Sequence, residues 1–482
     1  MQPVWTRRTA VAVVAFVAAV VVVRVVLVVA ITAADEHRAD SDDKSSYVDP
    51  ARALLHDGDF DRDVGSSVPE FFRTPGYPAF MATVWWVAGE GDTAIYVVQA
   101  VLSGLAVFLA IVLGRWLSAS LPWGGLGGGG GWPMGLATGV LVVLDPAQTV
   151  VQGVVGTEAL ATLLTTLVAC AGVRFARSGL DPRWGVAYGL AVAAATYVRP
   201  TTFYFAAVPA LLLAIVALRD PERRQAALRG GLAVVITCVA LLGVWNVRNQ
   251  AEVGSARFSA VESVNLYWYR AADVVAERDG LGFQETRVAL TEDLNRELDP
   301  EVDERDEDVD LEDYASGQIP PAWEDHQGVY YGRAQRDGLE VLRSEPVLVA
   351  RQVADGVYSQ LVQSGWVAAY GFLTGDDPPA PVRVAGLGFV WSVEALAVLG
   401  MVTALRRDRE PGPRLAHALT IGLLAYMILA SAGPEAADGA RFRVPVWPIW
   451  CVYAVLGAGA VAAWWQQRCS RSTDESRRPS AS

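Results

Sequence analysis

The apolar positions of this chain fall in long, nearly unbroken runs, separated by short arginine-bearing stretches and by two long acidic ones. Runs of roughly twenty residues with few charges have the length of a membrane crossing and are too charge-poor for a soluble core. The pattern predicts spans near 9–32, 93–114, 133–152, 157–174, 184–199, 201–218, 230–247, 383–405, 415–432 and 443–465. The chain is therefore expected to be an all-α integral membrane protein with about ten transmembrane helices. The first run, Thr9 to Thr32, is longer than a signal-peptide core and lacks a clear small-residue cleavage site before the acidic segment, so it is expected to stay as a helix.

Charge sets the expected orientation. Arg7, Arg8, Arg115, Arg174, Arg177, Arg183, Arg219, Arg223, Arg224, Arg229, Arg406, Arg407, Arg409, Arg414, Arg468, Arg471, Arg477 and Arg478 all fall on one alternating set of segments. By the positive-inside rule these segments, with both termini, face the cytoplasm of a multi-pass plasma-membrane protein. The acidic segments 33–92 and 248–382 fall outside. The expected organisation is an N-terminal membrane module, 1–247, with an outer loop at 33–92 that carries surface helices; a larger acidic outer segment, 248–382; C-terminal membrane helices, 383–465; and a polar cytoplasmic tail, 466–482. Outer loops of this length are usually functional rather than connective. The glycine run at 124–131 reads as a flexible cytoplasmic linker, and no internal repeat of the transporter kind is evident.

Composition narrows the chemistry. The 482 residues are 52% hydrophobic, with a mean hydropathy of +0.29 and a net charge of −13. Carboxylates crowd 35–63 and 273–325, so the net charge describes hydrated outer surfaces and does not call for a basic partner. Lys44 is the only lysine and lies in the first acidic loop, so no Walker-type nucleotide motif exists and cytoplasmic ATP is not expected as an energy source. No nucleic-acid partner is expected. Cys170, Cys238 and Cys451 lie in apolar runs and Cys469 in the tail, which gives no disulfide framework.

Candidate chemistry gathers at the outer face. Asp43 precedes Tyr47 by four residues, and Tyr47, Ala51, Leu54 and Leu55 recur at helical spacing, so Asp43 is expected at the mouth of a short surface helix. A carboxylate there is a candidate to take a proton from an incoming hydroxyl. From residue types alone the stronger reading is a plain solvated acidic loop, since Asp35, Asp40, Asp42 and Asp49 are its neighbours. Downstream, "FFRTPGYPAF" (71–80) sets Arg73 before Pro75, Gly76, Tyr77 and Pro78. The prolines stiffen the chain where it returns to the membrane, and Gly76 permits close approach to another backbone. The apolar stretch that follows is only about a dozen residues, the length of an interfacial or re-entrant helix.

Charges also lie at or within the spans: Arg24, Asp145, Glu158, Arg199, Arg248, Arg441 and Arg443. Such groups are costly in a bilayer and usually face a partner or a wet cavity. Glu158, Arg199, Arg248, Arg441 and Arg443 fall at the outer ends of their spans, with Asp43 and Arg73. Arginine binds phosphate bidentately, so this set suits an anionic, lipid-embedded ligand; the competing reading is that arginines at helix ends snorkel to ordinary head groups. His37, His56, His326 and His417 show no ligand spacing. His37 and His56 share the first acidic loop, and a divalent metal is left open there. The run at 299–314 has the acidity of a calcium loop without its glycine or spacing, and reads as a solvated surface.

Taken in order, Asp43 and Tyr47, "RTPGYP" (73–78), "VVQAVLSG" (97–104), "GTEAL" (156–160), "YVRPTTF" (197–203), "VWNVRNQ" (244–250), "SVNLYW" (263–268), "VLRSEP" (341–346) and "RFRVPVWP" (441–448) extend almost end to end. This series resembles the polyprenyl-phosphate-sugar-dependent glycosyltransferases with a C-type fold, in the branch of the protein O-mannosyltransferases and the lipid A aminoarabinose transferase. The resemblance implies that Asp43 is the catalytic carboxylate and Glu158 a second acidic site residue. It makes Arg73, Arg199, Arg248, Arg441 and Arg443 candidates to hold the donor phosphate, and implies surface helices near 47–57 and 77–89. Tyr47, Pro75, Gly76, Tyr77 and Pro78 are expected to meet the acceptor or shape the loop, with "RTPGYP" as the hinge of the donor pocket's outer wall. Where many members carry an acidic residue after the loop aspartate, this chain has Lys44, so the resemblance carries no metal or acceptor role to that neighbour.

The expected function is transfer of a sugar from a polyprenyl-phosphate carrier to an acceptor protein, glycolipid or polysaccharide at the outer face, with inversion. A lipid phosphate is already a good leaving group, so one base and an arginine cluster suffice. Membrane lipid is the other expected partner. A transporter or flippase for a lipid-linked saccharide is the first rival, favoured by Arg24 in mid-span, and a non-catalytic membrane scaffold is the second.

Overall fold

The structure is a computed structural model that describes residues 7–34, 43–121, 131–298, 314, 316–434 and 439–476. His37, Asp35, Asp40, Asp42, most of the 124–131 glycine run, the acidic run before Tyr314, and Arg477 and Arg478 lie outside the described residues. Among the described residues the secondary structure is helical, apart from one isolated antiparallel bridge between Asp61 and Pro69.

The first half of the chain forms α1 (Arg7–Ala34), α2 (Lys44–His56), α3 (Gly76–Ala88), α4 (Asp92–Ser118), α5 (Trp132–Val143), α6 (Ala147–Val150), α7 (Glu158–Arg177), α8 (Pro182–Val198), α9 (Ala207–Arg219) and α10 (Arg224–Val253). Long helices over Ala380–Arg407, Pro411–Ala430 and Trp447–Ser476 complete the bundle. This is an all-α, multi-pass membrane protein. Eight described helices are long and apolar enough to cross a membrane: Arg7–Ile31, Asp92–Ser118, Glu158–Arg177, Pro200–Arg219, Arg224–Val253, Ala380–Arg407, Pro411–Ala430 and Gly439–Ser470.

The other two expected spans are shorter, and proline is the reason in each. The expected 133–152 span is divided, because α5 ends after 12 residues and Pro146 follows Asp145. The expected 184–199 span is α8, of 17 residues, which stops where Arg199 turns extended (φ −139°, ψ 109°) ahead of Pro200. A residue before proline is pushed out of the α region, so both breaks follow from local sterics. Each break leaves a charged residue, Asp145 or Arg199, at a helix end.

Small residues let the bundle close. A Cβ on Gly400 would lie 2.0 Å from Tyr453 O, and one on Gly457 2.0 Å from Leu396 O, so the Ala380–Arg407 and Trp447–Ser476 helices meet backbone to backbone. Without a hydrophobic drive between helices in lipid, close approach of this kind supplies the packing.

At one end of the bundle the 43–91 loop packs on the segment that follows α10. Ala260 N donates to Phe71 O at 2.9 Å and Gln327 Nε2 to Pro69 O at 2.9 Å. Arg62 pairs with Glu324, and the Phe71 ring enters an aromatic cluster of Trp268, Tyr267, Tyr330 and Tyr331. The acidic segment thus braces the loop that carries Asp43.

Candidate active site

Asp43 stands immediately before α2, with its neighbour Lys44 turned to Asp92 Oδ2 at 2.7 Å. One turn on, Ser46 Oγ donates to Asp43 O at 2.6 Å, and Tyr47 faces Tyr77 edge-on with centroids 5.1 Å apart. Arg73 reaches this turn with its whole guanidinium. Nε donates to Ser46 Oγ at 2.9 Å, Nη1 to Tyr47 OH at 2.9 Å and Nη2 to Asp43 Oδ1 at 2.6 Å, while the carbon lies 4.2 Å over the Tyr47 ring.

The turn at 73–78 explains how Arg73 is delivered. Pro75 caps α3 and Pro78 lies in its first turn, where a missing N–H costs nothing. Gly76 lies so close to the end of α8 that a Cβ would sit 2.5 Å from Tyr197 O and 2.8 Å from Val198 N. Thr74 Oγ1 donates to Val198 O at 3.4 Å. The first residue after α8 is Arg199, so this backbone contact brings two arginines from distant parts of the chain to one place.

Glu158 opens α7 and is almost fully enclosed, with 4% of its side chain exposed. Its Oε1 accepts from Arg441 Nε at 2.7 Å and from Arg199 Nη1 at 3.3 Å. Arg441 then donates from Nη2 to Asp43 Oδ2 at 3.0 Å. The result is a chain of alternating charge, Arg73, Asp43, Arg441, Glu158, Arg199. Three arginines against two carboxylates leave one positive charge in excess. Asp43 and Arg441 form its open edge, with 36% and 34% of their side chains exposed. Of the two carboxylates, Asp43 is the one open to a molecule from outside, and Glu158 is enclosed.

Burial alone would raise the Asp43 carboxyl, but Arg73 and Arg441 outweigh it and hold the group at about 2. Glu70 goes the other way. It is buried, its Oε1 accepts from Arg73 N at 2.6 Å, and burial pushes its carboxyl up to about 7. Burial likewise raises the Tyr47 hydroxyl, which therefore stays a neutral partner of Arg73.

Beside the cluster lies a cavity of about 160 Å³, walled by Ala147, Val150, Val151, Val154, Ala368, Ala440 and Val444, with Glu158 and Arg441 as its charged lining. An apolar cavity whose charged lining is one acid–arginine pair can take an apolar group that carries a charged head.

Two of the seven charged residues expected here are elsewhere. Arg248 donates from Nη1 to Glu70 O at 2.9 Å and from Nη2 to Phe60 O at 3.0 Å, which fastens the 43–91 loop to α10. Arg443 is buried, donates to Gln360 O and, at 2.7 Å, to Gln363 O, and lies 3.9 Å from Asp145 and 3.6 Å from Glu394. Both guanidiniums are committed to backbone carbonyls.

Ser46, Glu70 and Gln99 also take part in the arrangement and were not singled out from the sequence. The signal for Gln99 was present, as an amide inside an otherwise apolar span. Among the described residues no group of three or more His, Cys, Asp or Glu is arranged to hold a metal ion. His56 pairs with Glu90 at 3.2 Å and His417 is buried 3.6 Å from Asp408.

No family model matches the chain, and no curated protein matches it. Among solved structures, the archaeal oligosaccharyltransferase AglB from Archaeoglobus fulgidus, in complex with an inhibitory peptide and a dolichol-phosphate, aligns with a TM-score of 0.48 at 11% identity over 97% of this chain and 53% of its own. A second structure of an Archaeoglobus fulgidus oligosaccharyltransferase, tethered to an acceptor peptide, aligns with a TM-score of 0.46 at 10% identity over 92% and 49%. The chain spans about half the length of these two proteins. ArnT from Cupriavidus metallidurans bound to undecaprenyl phosphate aligns with a TM-score of 0.38 at 14% identity over 88% and 77%.

Proposed function

We propose that this protein is a membrane glycosyltransferase that moves a sugar from a polyprenyl-phosphate carrier to an acceptor hydroxyl at the extracytoplasmic face, with inversion and with Asp43 as base. The observation that carries the reading is the placement of an accessible carboxylate between Arg73 and Arg441, with Arg441 also lining an apolar cavity. The motif series that resembles the polyprenyl-phosphate-sugar transferases runs through the same residues. The positive-inside distribution of arginine supports the outer face.

In this reading the polyprenyl chain enters the apolar slot and the phosphate lies against Arg441, Arg199 and Arg73. The acceptor oxygen attacks the anomeric carbon from the face opposite the phosphate. As the new carbon–oxygen bond forms, the bond from that carbon to the phosphate oxygen breaks and the phosphate keeps the electron pair. The acceptor proton passes to Asp43, and the arginines neutralise the charge that develops on the phosphate.

The resting site makes the order of events matter. Asp43 gives one oxygen to each of two arginines, and at about 2 its carboxyl is a poor base. A phosphate competes for those same guanidiniums, so donor binding weakens the hold on Asp43 and raises its basicity when the acceptor needs it.

The test is transfer from a radiolabelled polyprenyl-phosphate-sugar in membranes carrying the wild-type chain or Asp43→Asn at matched protein levels. Label that leaves the lipid only with the wild type supports the reading and marks the acceptor. No transfer from any donor of a broad set by the wild type overturns it.

A further inference from the structure

Arg24, Ser103 and Gln152 have no place in the site described above; with Gln99 they form one buried chain of hydrogen bonds. Arg24 of α1 donates from Nη1 to Ser103 Oγ of α4, and Gln152 Nε2 donates to the same oxygen at 2.7 Å. Gln99, also on α4, donates from Nε2 to Gln152 O and to Val154 O, both at 3.0 Å. Its Oε1 accepts from Tyr77 OH at 3.0 Å, and Tyr77 OH accepts from Gly156 N at 2.9 Å. Two acceptors face the amide nitrogen and one donor faces the amide oxygen, so only one orientation of the Gln99 side chain satisfies its partners.

What these groups hold is irregular backbone. Between α6 and α7 the chain runs through turns that include Gly153 and Gly156. Non-helical backbone within a membrane bundle persists where protein groups take up its freed amides and carbonyls. Gln99 takes two carbonyls and, through Tyr77, one amide. Val150, Val151 and Val154 of this stretch wall the apolar cavity, and Glu158 follows at its end. Arg24 pairs with no carboxylate among the described residues, and its contact with Ser103 ties the clamp to α1.

We propose that Gln99 is a positioning residue for the lipid-phosphate site: it clamps the 150–156 stretch in the shape that forms the cavity wall and aims Glu158 at Arg441. The proposal rests on the function given above, and it touches binding of the donor rather than the chemical step. Loss of the clamp therefore raises the donor KM and spares kcat.

The experiment compares wild type, Gln99→Leu and Tyr77→Phe in detergent, by amide hydrogen exchange, by thermal stabilisation with a short-chain polyprenyl phosphate, and by transfer kinetics. Gln99→Leu removes all three side-chain hydrogen bonds of the amide; it is expected to speed exchange at 151–156 while α5 and α7 keep their protection, and to raise donor Kd and KM roughly 10- to 30-fold. Its kcat and acceptor KM stay within about threefold, and combination with Tyr77→Phe is less than additive because both break one bridge. Unchanged exchange at 151–156 in Gln99→Leu overturns the clamp whatever the ligand result. Faster exchange with unchanged binding overturns the positioning role, as does a loss confined to kcat. If the wild type binds and turns over no polyprenyl-phosphate compound, the functional reading fails, the donor-positioning role fails with it, and the exchange measurement alone judges the clamp.

Discussion

Arg441 and Asp43 stand 398 positions apart in the chain and meet at 3.0 Å, Nη2 to Oδ2. The same guanidinium donates from Nε to Glu158, so one side chain joins an open carboxylate to an enclosed one. Any anion that takes Arg441 must loosen both. The pairing therefore couples what enters the apolar cavity, which Arg441 lines, to the state of Asp43 at its open edge.

Asp43→Asn is expected to lower kcat by roughly 10²- to 10⁴-fold, the usual worth of a general base. Binding of a polyprenyl phosphate is expected to hold or tighten, because the asparagine no longer competes as an anion for Arg73 and Arg441. Single-turnover transfer and thermal-shift titration measure the two effects separately. Wild-type rates in the variant, or a loss of binding that accounts for the whole defect, would remove Asp43 from the chemistry.

The arginines divide by what they touch. Arg199→Ala and Arg441→Ala leave Glu158 short of a buried partner and are expected to raise the donor KM roughly tenfold or more. Arg248→Ala instead frees Phe60 O and Glu70 O, so its first effect is on the loop. Limited proteolysis within 57–70 should become faster in Arg248→Ala while donor KM in the surviving protein changes little. Equal KM defects in all three variants would contradict this division.

How much of this was legible in the sequence follows from the range of the forces involved. Apolar runs mark the long helices because burial in lipid needs length and composition alone, and both expected spans that came out short break at an X-Pro step present in the sequence, Asp145-Pro146 and Arg199-Pro200. Glu158, Arg199 and Arg441 were legible as charges at the outer ends of spans, and Asp43 and Arg73 as charges of the outer loop on the same face. Arg248 and Arg443 carried the same signal and went to backbone carbonyls instead, since sequence gives the depth of a charge and not its partner. Glu70 was hidden among loop acids. Only its burial beside Phe71 and the Arg73 amide separates it from its solvated neighbours.

That burial gives a pH signature. The Glu70 carboxyl titrates at about 7 in the folded protein, against about 4.3 in an unfolded chain. Between these values the folded state binds the extra proton, so stability falls as pH rises from about 4.3 to 7 and levels off above. Asp43 has the opposite sign, but its contribution is complete above about 4 and is lost only as pH falls toward 2, below the window of interest. Tm in detergent is thus expected to decline from pH 5 to pH 7.5. Glu70→Gln keeps an acceptor for Arg73 N without the titration and should flatten that slope; a slope that persists in the variant assigns it to another group.

Gly76→Ala tests the geometry by which the loop meets the bundle. The added methyl would lie 2.5 Å from Tyr197 O and 2.6 Å from Tyr197 C, atoms of a helix end that cannot swing aside as a side chain does. The start of α3 must retreat, at a cost of about 1–3 kcal/mol typical of overpacking. Because Arg73 precedes this contact by three residues and Arg199 follows Tyr197 by two, the retreat separates the two arginines. The expected outcome is a lower Tm together with a raised donor KM. Gly388→Ala supplies the comparison, since a methyl there meets nothing within 4 Å and sits on a helix that alanine favours. If Gly76→Ala and Gly388→Ala match in both Tm and KM, the approach of the 73–78 turn to Tyr197 does not shape the donor site.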